Sequence, residues 1–348
     1  MAQAREIRIA VAGFGAWGQM TATALRAIEG ANIVSVYCHG KASDSAAQVQ
    51  LPQAHRFSDY QEMLDSAPLD VVCVNVPNHR HAEFAVAALR HGAHVFLEKP
   101  LGLSLEECDG VIRASRESGR AVALDHEFRV SRQWGAVREI IASGEIGKVC
   151  FQRIVLFRRP FRPGSDGWRQ DPSRVGSWIL EEIVHFVDLA LWYARENGKP
   201  TRVRAAGTGV RAALGLFETL TLELFWADGS VAVISQCLSG FEHHLVLEVA
   251  GSEGAVRSWW SGAMDRSVTP SFELKLRRNG RDPMGPAEVL SIAHSGEVFE
   301  LEENLRLALQ GFRESRSILP PEEARDSIAI CLAAAEAALS GGEVPLIL

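Results

Sequence analysis

The sequence predicts an α/β protein: a doubly wound parallel sheet in the first third of the chain, followed by an α+β domain built on one antiparallel sheet. Three observations carry this. Up to residue 124, short apolar, β-branched runs alternate with segments of helical composition. The first run, Ile7–Ala12, stops at a glycine and gives way to a helical stretch from Ala16 to Glu29. Beyond residue 200 the pattern changes to successive strands, two of them joined by Asp228-Gly229, a hairpin pair. A length of 348 residues suits two domains, expected over 1–124 and 125–348.

In the first domain, Gly13, Gly15 and Gly18 fit G-x-G-x-x-G between strand and helix. The first glycine makes the tight turn, the second lets backbone approach a pyrophosphate, and the third lets helix pack on strand. With Phe14, Ala16 and Trp17 they form a candidate dinucleotide turn at a helix N-terminus. Asn32–Tyr37 reads as the second strand. An acid usually ends this strand in NAD enzymes, but here the chain runs Tyr37-Cys38-His39-Gly40-Lys41, with no acid before Asp44. Lys41 and His39 would attract a 2′-phosphate, so the reading leans to NADP over NAD; Lys41 as an ordinary solvated residue is the alternative. Ser58 and Gln61 fit a capping box opening a helix to Ser66. Asp70–Val76 is a buried strand ending in Pro77-Asn78-His79-Arg80-His81, and a helix covers Ala82–His91. His94–Leu97 is a strand closing in Glu98-Lys99-Pro100. Ser104 and Glu107 cap a helix that stops at Gly119, and Arg120–Leu124 is one more strand. Gly13–Gly18, Pro77–His81 and Glu98–Pro100 thus all fall at carboxyl ends of parallel strands, where such sheets bind ligands.

In the second domain, a helix is expected from Ser131 to Ser143 and a strand over Lys148–Arg158. An arginine-bearing loop, with Arg159, Arg162, Arg169 and Arg174, reaches to Val175 and carries Trp168-Arg169. Long ordered loops tend to be functional. A helix from Ser177 to Ala194 would place Glu181, His185 and Asp188 on one face, at i, i+4 and i+7. Carboxylates on either side would orient the imidazole and support its charged form, an acid/base relay for an alcohol proton. Trp178 either narrows a pocket or belongs to the core. Strands follow at Arg202–Val210, Phe217–Trp226, Ser230–Ser239, His244–Ala250, Ala255–Trp260 and Phe272–Arg278. Helices at Glu297–Ser315 and Pro321–Ser340 close the chain. Apolar residues on the sheet face away from the helices suggest a homodimer or homotetramer formed through the C-terminal sheet.

Composition narrows the function classes. Thirty-six Lys and Arg against 43 Asp and Glu leave a net charge of −7, opposite in sign to a nucleic-acid-binding domain. No apolar run approaches a membrane span, and no signal-peptide core is visible near the start. The six cysteines, at 38, 73, 108, 150, 237 and 331, include no C-x-x-C, so they read as reduced thiols of a cytoplasmic protein. The His79/His81, His91/His94 and His243/His244 pairs have no companion ligands at metal-site spacing, so no metal is expected.

Taken together, Ala12–Gly18, Pro77–His81, Gly92–Pro100, Ser143–Val149, Trp168-Arg169 and Val184-His185-Phe186-Val187-Asp188 resemble the glucose–fructose oxidoreductase / inositol dehydrogenase / MocA (Gfo/Idh/MocA) family. The resemblance implies a Rossmann domain followed by an α/β domain with an open, mostly antiparallel sheet. It implies NAD(P)-dependent hydride transfer to or from a hydroxyl or carbonyl carbon of a sugar, inositol or related polyol. In this reading Lys99 is the catalytic lysine, Glu98 lies near the nicotinamide ribose, and Pro100 is often cis. Pro77, Asn78, His81, Trp168 and Arg169 join the cofactor contacts. His185, backed by Asp188, is the second proton-handling group. Lys99, Glu127, Arg129, Trp168, Glu181 and His185 line the substrate side, with Lys99 and His185 facing one another across the nicotinamide. Glu181 stands where the family usually has Asp, which leaves its role open. Two alternatives remain: a member using bound nicotinamide for net hydrolysis or elimination on a sugar, and a non-catalytic NADP-binding sensor.

Overall fold

The structure is a computed structural model that describes residues 6–278 and 286–348. In chain order the elements of the first 126 residues are β1 (Ile7–Ala12), α1 (Ala16–Arg26), β2 (Ala31–Tyr37), α2 (Lys41–Gln50), β3 (His55–Phe57), α3 (Tyr60–Ser66), β4 (Val71–Val74), α4 (His81–Arg90), β5 (His94–Leu97), α5 (Leu105–Ser118) and β6 (Val122–Leu124). Then come α6 (Arg132–Ala142), β7 (Val149–Phe157), α7 (Pro172–Val175), α8 (Val184–Tyr193), β8 (Arg202–Thr208), β9 (Thr219–Phe225), β10 (Val231–Cys237), β11 (His243–Gly251), β12 (Gly254–Gly262), β13 (Ser271–Arg278) and β14 (Glu288–Leu290). The chain closes with α9 (Glu297–Phe312), α10 (Pro321–Ser340) and β15 (Glu343–Pro345). Two compact units result: Met1–His126 with Leu301–Arg325, and Glu127–Glu300 with Asp326–Leu348.

In the first unit six parallel strands lie in the order β3-β2-β1-β4-β5-β6. The order reverses between β1 and β4, so their carboxyl ends form a switch point. The four residues of β4 and the four of β5 are all buried, as strands covered on both faces must be. The chain's return at 301–325 departs from a single boundary after residue 124. Its cause is the apolar spacing of Leu301, Leu305, Ala308, Leu309 and Phe312, which pack with Ile9, Val11 and Leu25 in one core. Helix α2 has no counterpart in the sequence reading, because Ala47 is its one buried residue and no apolar period marks it. At α3 the cap is Asp59, whose carboxylate accepts from Glu62 N at 2.9 Å, one residue beyond the expected Ser58.

In the second unit nine strands lie in the order β14-β13-β12-β11-β7-β10-β9-β8-β15. Every named pairing is antiparallel except β7 with β10. That exception arises because the chain leaving β7 passes through helical turns rather than a hairpin. Asp228-Gly229 makes the β9–β10 turn, with Gly229 at φ +87°. One face buries Ile154, Leu156, Leu222, Ile234 and Leu247. Helix α8 covers it, and Gln152 Nε2 donates to Ala190 O there at 3.0 Å. The opposite face carries Phe151 and Phe157, both exposed, with Arg153, Glu248 and Arg257 between them.

Candidate functional site

The glycine turn of the first unit is set by contacts that exclude side chains. Gly13 has φ +96°, and a Cβ there would meet Asn75 O at 2.6 Å; one on Gly18 would meet Gly13 O at 2.0 Å. Gly15 has nothing within 4 Å of its added Cβ, so space opens above it. It precedes α1 without any side-chain cap, leaving the first-turn amides directed at that space. Phe14 is buried in the core, so its contribution is to the turn's seating. Residues and backbone here fit the pyrophosphate of a dinucleotide.

Beside it, β2 ends at Tyr37, whose hydroxyl lies 3.4 Å from His39 Nδ1 and accepts from Arg80 Nη1 at 3.3 Å. Lys41 opens α2 and is exposed; Gly40 before it has no side chain to cap the helix. Asp44, the first carboxylate after the strand, accepts from Arg56 Nε at 3.1 Å.

At the next strand ends, Pro77 precedes a 3-10 turn, Asn78–Arg80, in which Asn78 is buried. His81 is 1 % exposed. Its Nδ1 lies 2.7 Å from Pro100 O and its Nε2 lies 2.8 Å from Val76 O. Both ring nitrogens thus engage main-chain carbonyls, and the imidazole ties the end of β4 to the Glu98–Pro100 turn. That tie occupies the ring expected to meet cofactor. The Lys99–Pro100 bond is cis. Glu98 is buried, and its N–H donates to Val74 O at 3.1 Å. Asp125, which the sequence reading passed over, follows β6 and is completely buried. Its Oδ2 accepts from Trp17 Nε1 at 3.3 Å and its Oδ1 from Asn304 Nδ2 at 2.8 Å. Burial pushes its carboxyl up to about 6, against the opposing pull of Asn304, Trp17 and the Lys99 ammonium. An acid directly after a short buried strand was the available signal.

In the second unit the expected single helix is interrupted. Ile179–Ile183 forms a π-helical turn, in which the Val184 N–H reaches Ile179 O, five residues back. Ser177 Oγ caps it, accepting from Leu180 N at 3.1 Å. The wider turn breaks the i, i+4 phase assumed between Glu181 and His185. Each of the three residues has a partner on another element. Glu181 Oε1 accepts from Arg169 Nε at 2.5 Å. Asp188 takes a two-pronged bond from Arg129, with Nε on Oδ2 and Nη2 on Oδ1, each at 2.7 Å. His185 Nδ1 instead faces Glu127 Oε2 at 3.7 Å, with the Phe128 ring 5.1 Å away, centre to centre. Glu127 thus faces the imidazole at Nδ1, while Asp188 takes the Arg129 guanidinium. All four groups are buried, with side-chain exposures of 9 % or less.

Trp168 and Arg169 lie in a 3-10 turn, Ser165–Gln170, with the Arg169 guanidinium 4.4 Å from the Trp168 ring centre. Trp178 donates from Nε1 to Arg169 O at 2.9 Å and packs with Phe161, Trp168, Val175, Leu216 and Leu238. This decides its alternatives in favour of core. A buried ion pair unforeseen from sequence, Arg158 with Glu182, adjoins the same π turn, and Asp265 Oδ2 lies 3.5 Å from Arg158 Nη2. Among the described residues no group of three or more His, Cys, Asp or Glu side chains is gathered to hold a metal ion, and no helix is long and apolar enough to cross a membrane.

Comparison with known proteins follows the same division. Residues 7–126 match the Gfo/Idh/MocA model described as an oxidoreductase family with an NAD-binding Rossmann fold, and residues 134–257 match that family's C-terminal domain. The chain is 27 % identical over 232 residues to 4-carboxy-2-hydroxymuconate-6-semialdehyde dehydrogenase of Sphingobium, covering 66 % of this chain and 71 % of that protein. It is 27 % identical over 265 residues to inositol 2-dehydrogenase of Rubrobacter xylanophilus, covering 72 % and 71 %. Among solved structures, levoglucosan dehydrogenase in complex with NADH and levoglucosan superposes with a TM-score of 0.85 at 18 % identity, over 99 % of this chain and 100 % of that one. That likeness is one of fold.

Proposed function

Because the chain belongs to the Gfo/Idh/MocA oxidoreductase family, we propose that it transfers a hydride between a nicotinamide cofactor and a hydroxyl or carbonyl carbon of a sugar, inositol or related polyol. One observation carries this reading: an uncapped helix start above Gly15 shares a parallel sheet edge with Lys99, just past β5. Relatives named inositol 2-dehydrogenase and 1,5-anhydro-D-fructose reductase support the substrate class. When bound, the nicotinamide supplies the hydride acceptor or donor.

The protein residues do the rest. Gly13, Gly15 and Gly18 with the start of α1 hold the pyrophosphate; Ala16 and Trp17 form the first turn around it. Lys99 Nζ takes the proton from the substrate hydroxyl during oxidation and returns it during reduction. His185, its Nδ1 toward Glu127, presents Nε2 as the second proton-handling atom. Glu181 and Arg169 set the polar edge of the substrate side, and Trp168 holds Arg169 in place by stacking. Asp188 and Arg129 act by fixing the backbone and helix that carry Glu127 and His185.

NADP is favoured over NAD because Arg56 neutralises Asp44, while Lys41 and the start of α2 add positive potential after β2. Homo-oligomers form through the outer sheet face, where Phe151 and Phe157 are exposed. Six free cysteines, four of them buried, support a cytoplasmic location. The test is a panel of polyols and sugars assayed with NAD⁺ and NADP⁺ at the reduced-nicotinamide absorbance band. Turnover on a polyol with a preference for NADP⁺ is expected; a panel without turnover, with the cofactor bound but never reduced, overturns the proposal.

A further inference from the structure

We propose that Glu182 and Arg158 are a positioning pair for Arg169: two consecutive glutamates of the π turn clamp the two ends of the loop after β7, so that the Arg169 guanidinium is preset at the substrate side. This pairing rests on the role given to Glu181 and Arg169 above, and every residue in it belongs to the second unit. The loop starts at Arg158, directly after β7, where the main chain is fixed on both sides. The Arg158 N–H donates to Cys237 O and its carbonyl accepts from Gly240 N, each at 2.9 Å. Its guanidinium pairs with Glu182 and lies 3.5 Å from Asp265 Oδ2. The loop's far end is Arg169, whose Nε donates to Glu181 Oε1 at 2.5 Å. Glu181 and Glu182 are neighbours in the π turn Ile179–Ile183. A turn closed five residues back rotates each residue through a smaller angle than an α-helix does, so adjacent side chains fan apart less and reach the same loop.

The contacts close a ring. The Arg158 guanidinium lies over the Phe161 ring at 4.5 Å, Phe161 packs on Trp178 at 5.6 Å between centres, and Trp178 Nε1 donates to Arg169 O at 2.9 Å. From Arg169 the ring returns through Glu181 and Glu182 to Arg158. The two ion pairs differ in exposure. Arg158 and Glu182 have side-chain exposures of 11 % and 10 %, whereas Arg169 keeps 27 % against 6 % for Glu181. The inner pair is thus the fixed post, and the outer pair turns a cation outward. Burying two opposite charges costs desolvation and is a weak source of stability. Its use here is to fix the rotation of the π turn, and with it the direction in which Glu181 holds Arg169.

The first readout follows the loop without substrate. Trypsin cleaves after Arg169, whereas Arg159 and Arg162 each precede a proline and resist it. The exposed Arg195, in a separate 3-10 turn, is the internal reference. In Glu182→Gln, cleavage after Arg169 relative to Arg195 is expected to rise about tenfold or more, as the open loop gains population when a charge-assisted bond is lost. KM for an accepted polyol is expected to rise about tenfold with kcat within about threefold, the mark of lost binding rather than lost chemistry. Arg158→Lys keeps the cation but not the fork that serves Glu182 and Asp265 together, and gives the same reading should Glu182→Gln not accumulate as folded protein. A cleavage ratio that stays at the wild-type value in both variants overturns the proposal, and so does a raised ratio in an active enzyme whose KM is unmoved. A raised ratio in a protein without dehydrogenase turnover sinks the functional reading and leaves the clamp standing.

Discussion

Replacing Arg129 by methionine keeps the side chain's bulk but strips the buried Asp188 of its guanidinium. The two groups have side-chain exposures of 9 % and 2 %, and the bond is two-pronged at 2.7 Å. Asp188 also accepts from Ser327 Oγ at 3.4 Å, a long, neutral donor. Breaking a buried pair from one side costs about 3–5 kcal/mol, because the surviving charge loses its nearest opposite charge. The lost attraction alone is about 4 kcal/mol at the effective dielectric that describes protein sites. For a unit of this size, a melting temperature lower by about 10 °C follows. Urea unfolding and calorimetry at pH 7 measure it. Adding Asp188→Asn to Arg129→Met removes the buried negative charge and should recover most of the loss. A single-variant loss under about 1 kcal/mol, or a double variant no better than the single one, would refute the claim that this pair holds α8 in place.

Other outcomes follow from the same structure. Glu127→Gln should lower kcat by about 10–100-fold and move the limb of the pH–rate profile set by His185 to lower pH, since the carboxylate 3.7 Å from Nδ1 favours the charged imidazole. Lys41→Ala should lower kcat/KM for NADP⁺ about tenfold while leaving that for NAD⁺ nearly unchanged, read from initial rates with each cofactor. Burial raises Glu300 to about 7 against donors at Ser131, Gly296 and Ser295, and its Oε2 has no hydrogen-bond partner among the described residues. The folded state therefore holds a proton that the unfolded chain, near pKa 4.5, releases. Stability from this group is full below about 4.5 and is lost as pH rises to about 7, a decline of about 3 kcal/mol. Glu300→Gln should flatten that decline, so denaturant titrations at pH 5 and pH 8 should show a gain at pH 8 alone.

The parts of the site that were legible in sequence are those imposed by local geometry. Gly13 and Gly18 admit no Cβ, so the glycine spacing had to be written into the chain. Strands β4 and β5 are buried throughout, so unbroken apolar runs marked them and placed Pro77 and Lys99 at their ends. What stayed hidden depends on partners distant in sequence. Arg129 and Asp188 are 59 residues apart, and nothing local tells which carboxylate the guanidinium takes. The π turn at Ile179–Ile183 leaves an ordinary helical composition intact while changing its phase, and nothing local foretells the bond between Glu181 and Arg169. Helix α2 is polar on nearly every side, and the reach of 301–325 into the first core was masked by its position near the chain's end.

In the proposed reaction Lys99 and His185 serve one dehydrogenation. The most direct measurement is NAD(P)-linked turnover of the wild type, Lys99→Met, His185→Gln and the double variant on one accepted polyol, each checked for cofactor binding by fluorescence. Each single change should cost about 10²–10⁴ in kcat with the cofactor still bound, and the double variant should lose little more than the worse single one. Near-native turnover in Lys99→Met, or losses that multiply in the double variant, would contradict it.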